Sequence, residues 1–106
     1  MRRYDRITRD MMAQAGYVVE GIGGDLIAYV RHYANGDSDI VTLRDGEDRL
    51  PRRGTDAVMV CTAFANGGES VGYWAQDFPF ADVYDCLTDR PNDTLDAIFF
   101  QPDEEG

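Results

Sequence analysis

The sequence predicts an α+β domain: an N-terminal helix, an antiparallel sheet of five to six strands, and a short second helix before the last strand. Three observations carry this. The chain opens on an apolar stripe with helical spacing, continues through apolar segments separated by Gly-, Asn- and Asp-rich turns, and then changes period after Phe78-Pro79-Phe80. With 106 residues the chain has the length of one ordinary domain, and we expect a single unit ending in an acidic tail at residues 102–106.

In the first element, Tyr4, Ile7, Met11 and Ala15 repeat at three- and four-residue intervals, which predicts a helix over residues 4–15. Arg2, Arg6 and Arg9 fall on the opposite side, with Arg3 at the edge, and Gly16 supplies the left-handed stop expected just past a helix end.

Strands follow. Residues 17–22 and 26–33 flank Gly23-Gly24-Asp25, a tight-hairpin composition. The turn at residues 34–38 leads into a strand at 39–44, and a turn at 45–48 and a loop at 51–54 lead into residues 57–65. That run is the most apolar and is expected to be central. A turn at 66–69 precedes a strand at 70–76.

Pro79 suits the first turn of a helix over residues 79–88, where Phe80, Val83, Tyr84 and Leu87 share one face and Asp82, Asp85 and Asp89 the other. Residues 90–93 break it, and residues 94–101 read as a last strand.

The formal net charge of −10 is unevenly spread. Residues 1–24 carry a slight positive excess, whereas residues 73–106 hold nine acids against Arg90 alone. Every basic residue is Arg, and fifteen of the twenty acids are Asp, a bias that suggests a GC-rich coding source. No apolar run follows the first arginines as a leader would require, and no segment approaches the ~20 apolar residues of a membrane span, so a soluble, cytoplasmic, monomeric protein is expected.

Little in the chain points to catalysis. Cys61 lies in an apolar run and reads as a buried thiol, while Cys86 stands beside Asp82, Asp85 and Asp89, which oppose thiolate formation. His32, the sole histidine, needs a nucleophile such as Cys61 or a Ser, and an acid, to form a triad. The run Asn35-Gly36-Asp37-Ser38-Asp39 begins like a calcium loop but has Ile40 where Gly is needed and Gly46 where a bidentate Glu is needed, so it reads as an Asx-rich turn. Gly21-Ile22-Gly23-Gly24 lacks dinucleotide spacing and leads into a strand rather than a helix. We expect no enzyme activity, no metal and no cofactor.

Two charged surfaces remain. One is acidic: Asp77, Asp82, Asp85 and Asp89, with Asp93, Asp96, Asp103, Glu104 and Glu105 nearby. A file of carboxylates on a helix can imitate a phosphate backbone. The other is basic: Arg2, Arg3, Arg6 and Arg9, with Arg49, Arg52 and Arg53 as a separate loop cluster. Arg stripes can track a single nucleic-acid strand. The alternative for both surfaces is a solvated face that serves solubility.

A stand-alone α+β chain of this size, acidic, Arg-only and free of motifs over its whole length, resembles the anti-CRISPR proteins of phages and mobile elements, in particular those aimed at type I systems, including type I-E. The resemblance implies a non-catalytic inhibitor in the host bacterial cytoplasm. Its partner would be a type I CRISPR effector complex or another nucleic-acid enzyme, engaged through the acidic face as a DNA mimic or through the Arg face with direct single-stranded DNA contact. Anti-CRISPR proteins share no signature, so no residue role is carried over. The alternatives are an immunity protein or antitoxin covering a toxin's basic active site, and a small enzyme using His32 or Cys61.

Overall fold

The computed structural model describes residues 5–44, 49–65 and 75–99. Five strands form one antiparallel sheet: β1 (Val18–Gly23), β2 (Leu26–His32), β3 (Ser38–Leu43), β4 (Ala57–Ala63) and β5 (Ala75–Pro79). They lie in the sheet in sequence order, β1-β2-β3-β4-β5. Three short helices accompany it: α1 (Arg9–Gln14), α2 (Phe80–Asp89) and α3 (Leu95–Phe99). Among the described residues, no helix is long and apolar enough to cross a membrane.

The α+β class stands, and three elements differ from expectation in ways that have physical causes. The first helix starts at Arg9, not at residue 4. Thr8 caps it: its hydroxyl accepts from the Met11 amide at 3.1 Å, and Met11 Sδ accepts from the Thr8 amide at 3.4 Å. Just before Thr8 the chain is extended and paired with the 52–54 segment, with Ile7 N–H on Arg52 O at 2.8 Å and Gly54 N–H on Asp5 O at 3.0 Å. The end of α1 is as expected. Gly16, at φ +96°, donates to Ala13 O, and the Tyr17 amide reaches back to Met12 O, both at 2.9 Å. This six-to-one closure turns Tyr17 into the core beside Met12.

The last strand of the sheet is β5, which runs on to Pro79. Pro79 thus belongs to the strand rather than to the helix expected over residues 79–88, and it becomes the extended N-cap of α2 (φ −63°). Of the strand expected at residues 70–76, positions 70–74 lie outside the described residues.

The strand expected over 94–101 is instead α3. The alternation Leu95, Ala97, Phe99 suits a strand, but Leu95, Ile98 and Phe99 equally suit one helical face. Contacts distant in sequence decide it. The first two amides of α3 are taken up by side chains of the sheet: Leu95 N–H by Asp39 Oδ1 at 3.0 Å and Asp96 N–H by Thr62 Oγ1 at 2.9 Å. Thr94 caps from its own chain, accepting from Ala97 N–H at 3.1 Å.

The helices cover one sheet face. Tyr29, Val41, Val58 and Val60 meet Met12, Phe80, Val83, Leu87 and Leu95, all essentially inaccessible to water. Burying each Val-, Leu- or Phe-sized side chain stabilises the fold by roughly 1.5–3 kcal/mol. β4 is an interior strand between β3 and β5, and its burial alternates: Val58, Val60 and Thr62 point into the core. Cys61 therefore faces the other side and is half-buried, not the fully buried thiol its apolar neighbours suggest. There it lies in a cross-strand row in which Val18 pairs with Val30, Val30 with Ile40, and Ile40 with Cys61.

The sheet also buries a carboxylate, that of Asp39, which in the sequence reads only as part of the Asx-rich turn. Asp39 on β3 is fully enclosed, and it accepts from Tyr17 Oη (3.1 Å), Tyr33 Oη, Thr62 Oγ1 (2.8 Å) and the Leu95 amide. Arg31, its cross-strand partner, lies over the Tyr33 ring at 4.8 Å. Four donors stand in for the hydration Asp39 loses on burial.

Candidate functional site

The sequence placed its basic residues in two separate clusters; the fold brings members of both to one cavity. The extended segment before α1 pairs with the loop before β4 through an antiparallel bridge between Arg6 and Arg53. Ile7 and Pro51 are buried at this seam, which leaves Arg6, Arg9, Arg49 and Arg52 exposed around its mouth. The resulting cavity of about 420 Å³ is lined by these four arginines and by Ile27, Tyr29, Leu50 and Pro51, among others. No carboxylate lines it among the described residues. Arg6 thus reaches the cavity from an extended segment and Arg9 from the first position of α1, rather than both from one helical stripe. Arg2 and Arg3 lie outside the described residues.

One carboxylate holds the Arg loop in shape from the side. Asp56 Oδ2 accepts the backbone amides of Arg52 (2.9 Å) and Arg53 (3.0 Å), and Arg49 approaches it at 3.8 Å. Partial burial alone would raise the Asp56 carboxyl; the two amides, then the Arg49 and Arg53 charges, outweigh it and hold it below the usual carboxylate range. Among the described residues, no carboxylate comes within ion-pair distance of Arg6, Arg9 or Arg52. These guanidiniums are concentrated in a chain of net charge −10 and have hydrogen-bonding capacity to spare.

The acidic face is built on α2. Its inner side buries Phe80, Ala81, Val83 and Leu87, so Asp82, Asp85 and Asp89 project outward. The three carboxylates gather about Cys86: burial raises the thiol first, and Asp82, Asp85 and Asp89 raise it further against a smaller opposing effect of Arg90. Among the described residues, no Arg comes within ion-pair distance of Asp85 or Asp89. The wider acidic patch does not follow them. Asp93 is paired with Arg90 at 2.8 Å, and Asp96 is half-buried near Asp39, its carboxyl raised by burial and then by that neighbour. Asp77 lies in β5 with its side chain outside the described set, as do residues 103–105.

His32 is exposed on β2 between two partners, Ser38 Oγ at 3.0 Å from Nδ1 and Glu20 Oε2 at 2.6 Å from Nε2. A Ser and an acid are thus both present, while Cys61 is not among the hydrogen-bond partners of His32 within the described residues. The His32 and Glu20 side chains are 56% and 39% exposed, and neither this cavity nor a smaller one between α1 and α2 is lined by any of the three. Water-exposed groups of this kind lack the excluded site in which triad electrostatics gain their strength.

The turn at residues 34–38 is closed by its own oxygens. Asn35 Oδ1 accepts from Asp37 N–H, and Asp37 Oδ1 from Ala65 N–H, each at 2.9 Å. Among the described residues, no group of three or more His, Cys, Asp or Glu side chains is placed to hold a metal ion. Compared with known protein families, curated proteins and solved structures, the chain matches none.

Proposed function

We propose that this protein is a non-catalytic inhibitor of a nucleic-acid-directed defence complex, of the anti-CRISPR kind, and that it engages its target through the Arg-lined face. The observation that carries this is the convergence of Arg6 and Arg9 with Arg49 and Arg52 on one cavity in an otherwise acidic chain. Guanidinium groups are the side chains best suited to phosphate, because their planar donor forks match its oxygens. The resemblance in size and character to inhibitors of type I systems supplies the partner class, a type I effector complex in a bacterial cell. A second route is favoured by the gathering of Asp82, Asp85 and Asp89 on the outer face of α2, which would occupy a basic DNA-binding groove.

The test is target-DNA binding by a type I effector complex in the presence of wild-type protein and two variant sets. Changing Arg6 and Arg9 to Glu is expected to abolish inhibition, and changing Asp82, Asp85 and Asp89 to Arg to leave it intact. The opposite pattern assigns the work to α2 as a DNA mimic. No inhibition by the wild-type protein, together with stable co-purification with a toxin, identifies an immunity protein instead.

A further inference from the structure

We propose that the Arg-lined cavity is a binding site for a phosphorylated nucleotide unit, its phosphoryl group held by Arg6, Arg9, Arg49 and Arg52 and its flat base resting on the apolar side chains of Ile27 and Leu50. This rests on the Arg-face reading for where the protein works and narrows what that face takes.

Three observations lead there independently. The first is charge: four arginines and no carboxylate line the opening among the described residues. The second is a polar group awaiting a partner. Tyr29 is 2% exposed and its ring stacks with Phe80 at 6.1 Å, yet its hydroxyl makes no hydrogen bond among the described residues, although the side chain lines the cavity. Buried hydroxyls are nearly always hydrogen-bonded. An anion in the cavity supplies the acceptor that this donor lacks, and Arg9 is near enough to Tyr29 to act on it electrostatically. The third is size and lining. About 420 Å³ falls within the range of small-molecule sites and exceeds what a bare phosphate fills, and apart from Tyr29 and Thr8 the remaining wall is apolar.

The net charge limits the ligand further. A chain of −10 repels a long polyanion along its whole length, whereas a single nucleotide carries only the charge that the guanidiniums themselves meet. The chemistry is shared by a free mononucleotide and by the phosphorylated end of a single strand.

Isothermal titration calorimetry at two salt concentrations tests this with deoxyadenosine monophosphate, deoxyadenosine, inorganic phosphate, a phosphoserine peptide and a 5′-phosphorylated oligonucleotide. The monophosphate is expected to bind more tightly than the nucleoside, inorganic phosphate or the peptide, and less tightly as salt rises. Arg9→Gln, Arg52→Gln and Tyr29→Phe should each weaken it about ten-fold or more, since each removes a hydrogen bond to a charged group. Thermal unfolding of each variant checks that the fold is intact, and Tyr29→Phe removes only an oxygen that has no hydrogen-bond partner among the described residues. Tighter binding of the oligonucleotide than of the monophosphate assigns the site to a strand end, and equal binding to the free nucleotide. No binding of the monophosphate at low salt, binding no tighter than inorganic phosphate, tighter binding of the peptide, or unchanged affinity in all three variants overturns the proposal.

The inhibition assay separates the two readings. Arg9→Gln and Arg52→Gln that lose inhibition, when wild type binds no nucleotide, overturn this ligand and leave the Arg-face function standing. Nucleotide binding without any inhibition does the reverse.

Discussion

The carboxylate of Asp39 accepts the backbone amide of Leu95, fifty-six residues further along the chain, at 3.0 Å. With Thr62, which donates to Asp39 and accepts from Asp96 N–H, it fastens the start of α3 to the middle of the sheet. Asp39→Asn keeps the shape but turns NH₂ protons toward groups that also donate. We expect a loss of about 2–4 kcal/mol, read from the urea midpoint. An unchanged midpoint would show that the cluster rearranges without cost.

High pH should attack the same cluster from the other side. Tyr17 and Tyr33 have hydroxyls raised well above the ordinary value of 10, first by burial and then by Asp39, and Tyr29 is raised by burial. A raised native value means that the folded state keeps protons the unfolded chain releases. The stability from these groups is therefore fully present below pH 10 and is lost as pH rises above it. Absorbance titration of phenolate should show these tyrosines ionising late, together with unfolding, whereas a smooth titration of every tyrosine near 10 would contradict the buried arrangement.

Asp56 makes the opposite prediction. Its carboxyl is lowered, so the stability it supplies is present above the ordinary value of 3.8 and disappears as pH falls through the lower native one. Asp56→Ala removes the acceptor for two loop amides and should cost about 1–2 kcal/mol at neutral pH. It should also weaken binding at the Arg cavity, although Asp56 does not line it. Crystal structures or amide exchange of residues 49–53 would show whether the loop has loosened.

His32→Ala should leave inhibition unchanged and shift stability by less than about 1 kcal/mol, because exposed ion pairs contribute little. Loss of function in this variant, with the fold retained, would revive a catalytic role for Ser38, His32 and Glu20.

Gly36→Ala should destabilise by more than about 1 kcal/mol in thermal unfolding. Gly36 sits at φ +99°, and an added Cβ would come within 2.8 Å of Ala65 Cβ, so the turn between β2 and β3 and the end of β4 could not both keep their places. A neutral outcome would mean that this corner gives way easily.

The elements written in local pattern were legible in the sequence. β1, β2 and β3 show strand-length apolar runs between turns, α2 has its two-faced spacing, and Gly16 marks the end of α1. What escaped depends on partners far along the chain. Thr8 looks like any polar residue until the 52–54 segment holds residues 5–7 extended, and residues 95–99 become a helix because Asp39 and Thr62 engage their first amides. The candidate site divides the same way. Each Arg cluster was visible, but their meeting follows from the bridge between Arg6 and Arg53, which no spacing rule encodes. Tyr29 reads simply as a strand aromatic, and only the fold shows that it lines the cavity with a hydroxyl that has no partner among the described residues.

The strict sequence order of the strands has a consequence for how the molecule comes apart. Each strand needs only its immediate neighbour, so the sheet can zip outward from a hairpin, the short connections β1–β2 and β2–β3 closing at less entropic cost than those that lead into β4 and β5. The joint from Asp39 and Thr62 to α3 closes across 56 and 34 residues, and it gains nothing until β3 and β4 are already paired. It should be the last contact made in folding and the first released, so in native-state hydrogen exchange α3 would open as its own small unit while the β2-β3-β4 meander stays protected to the global limit.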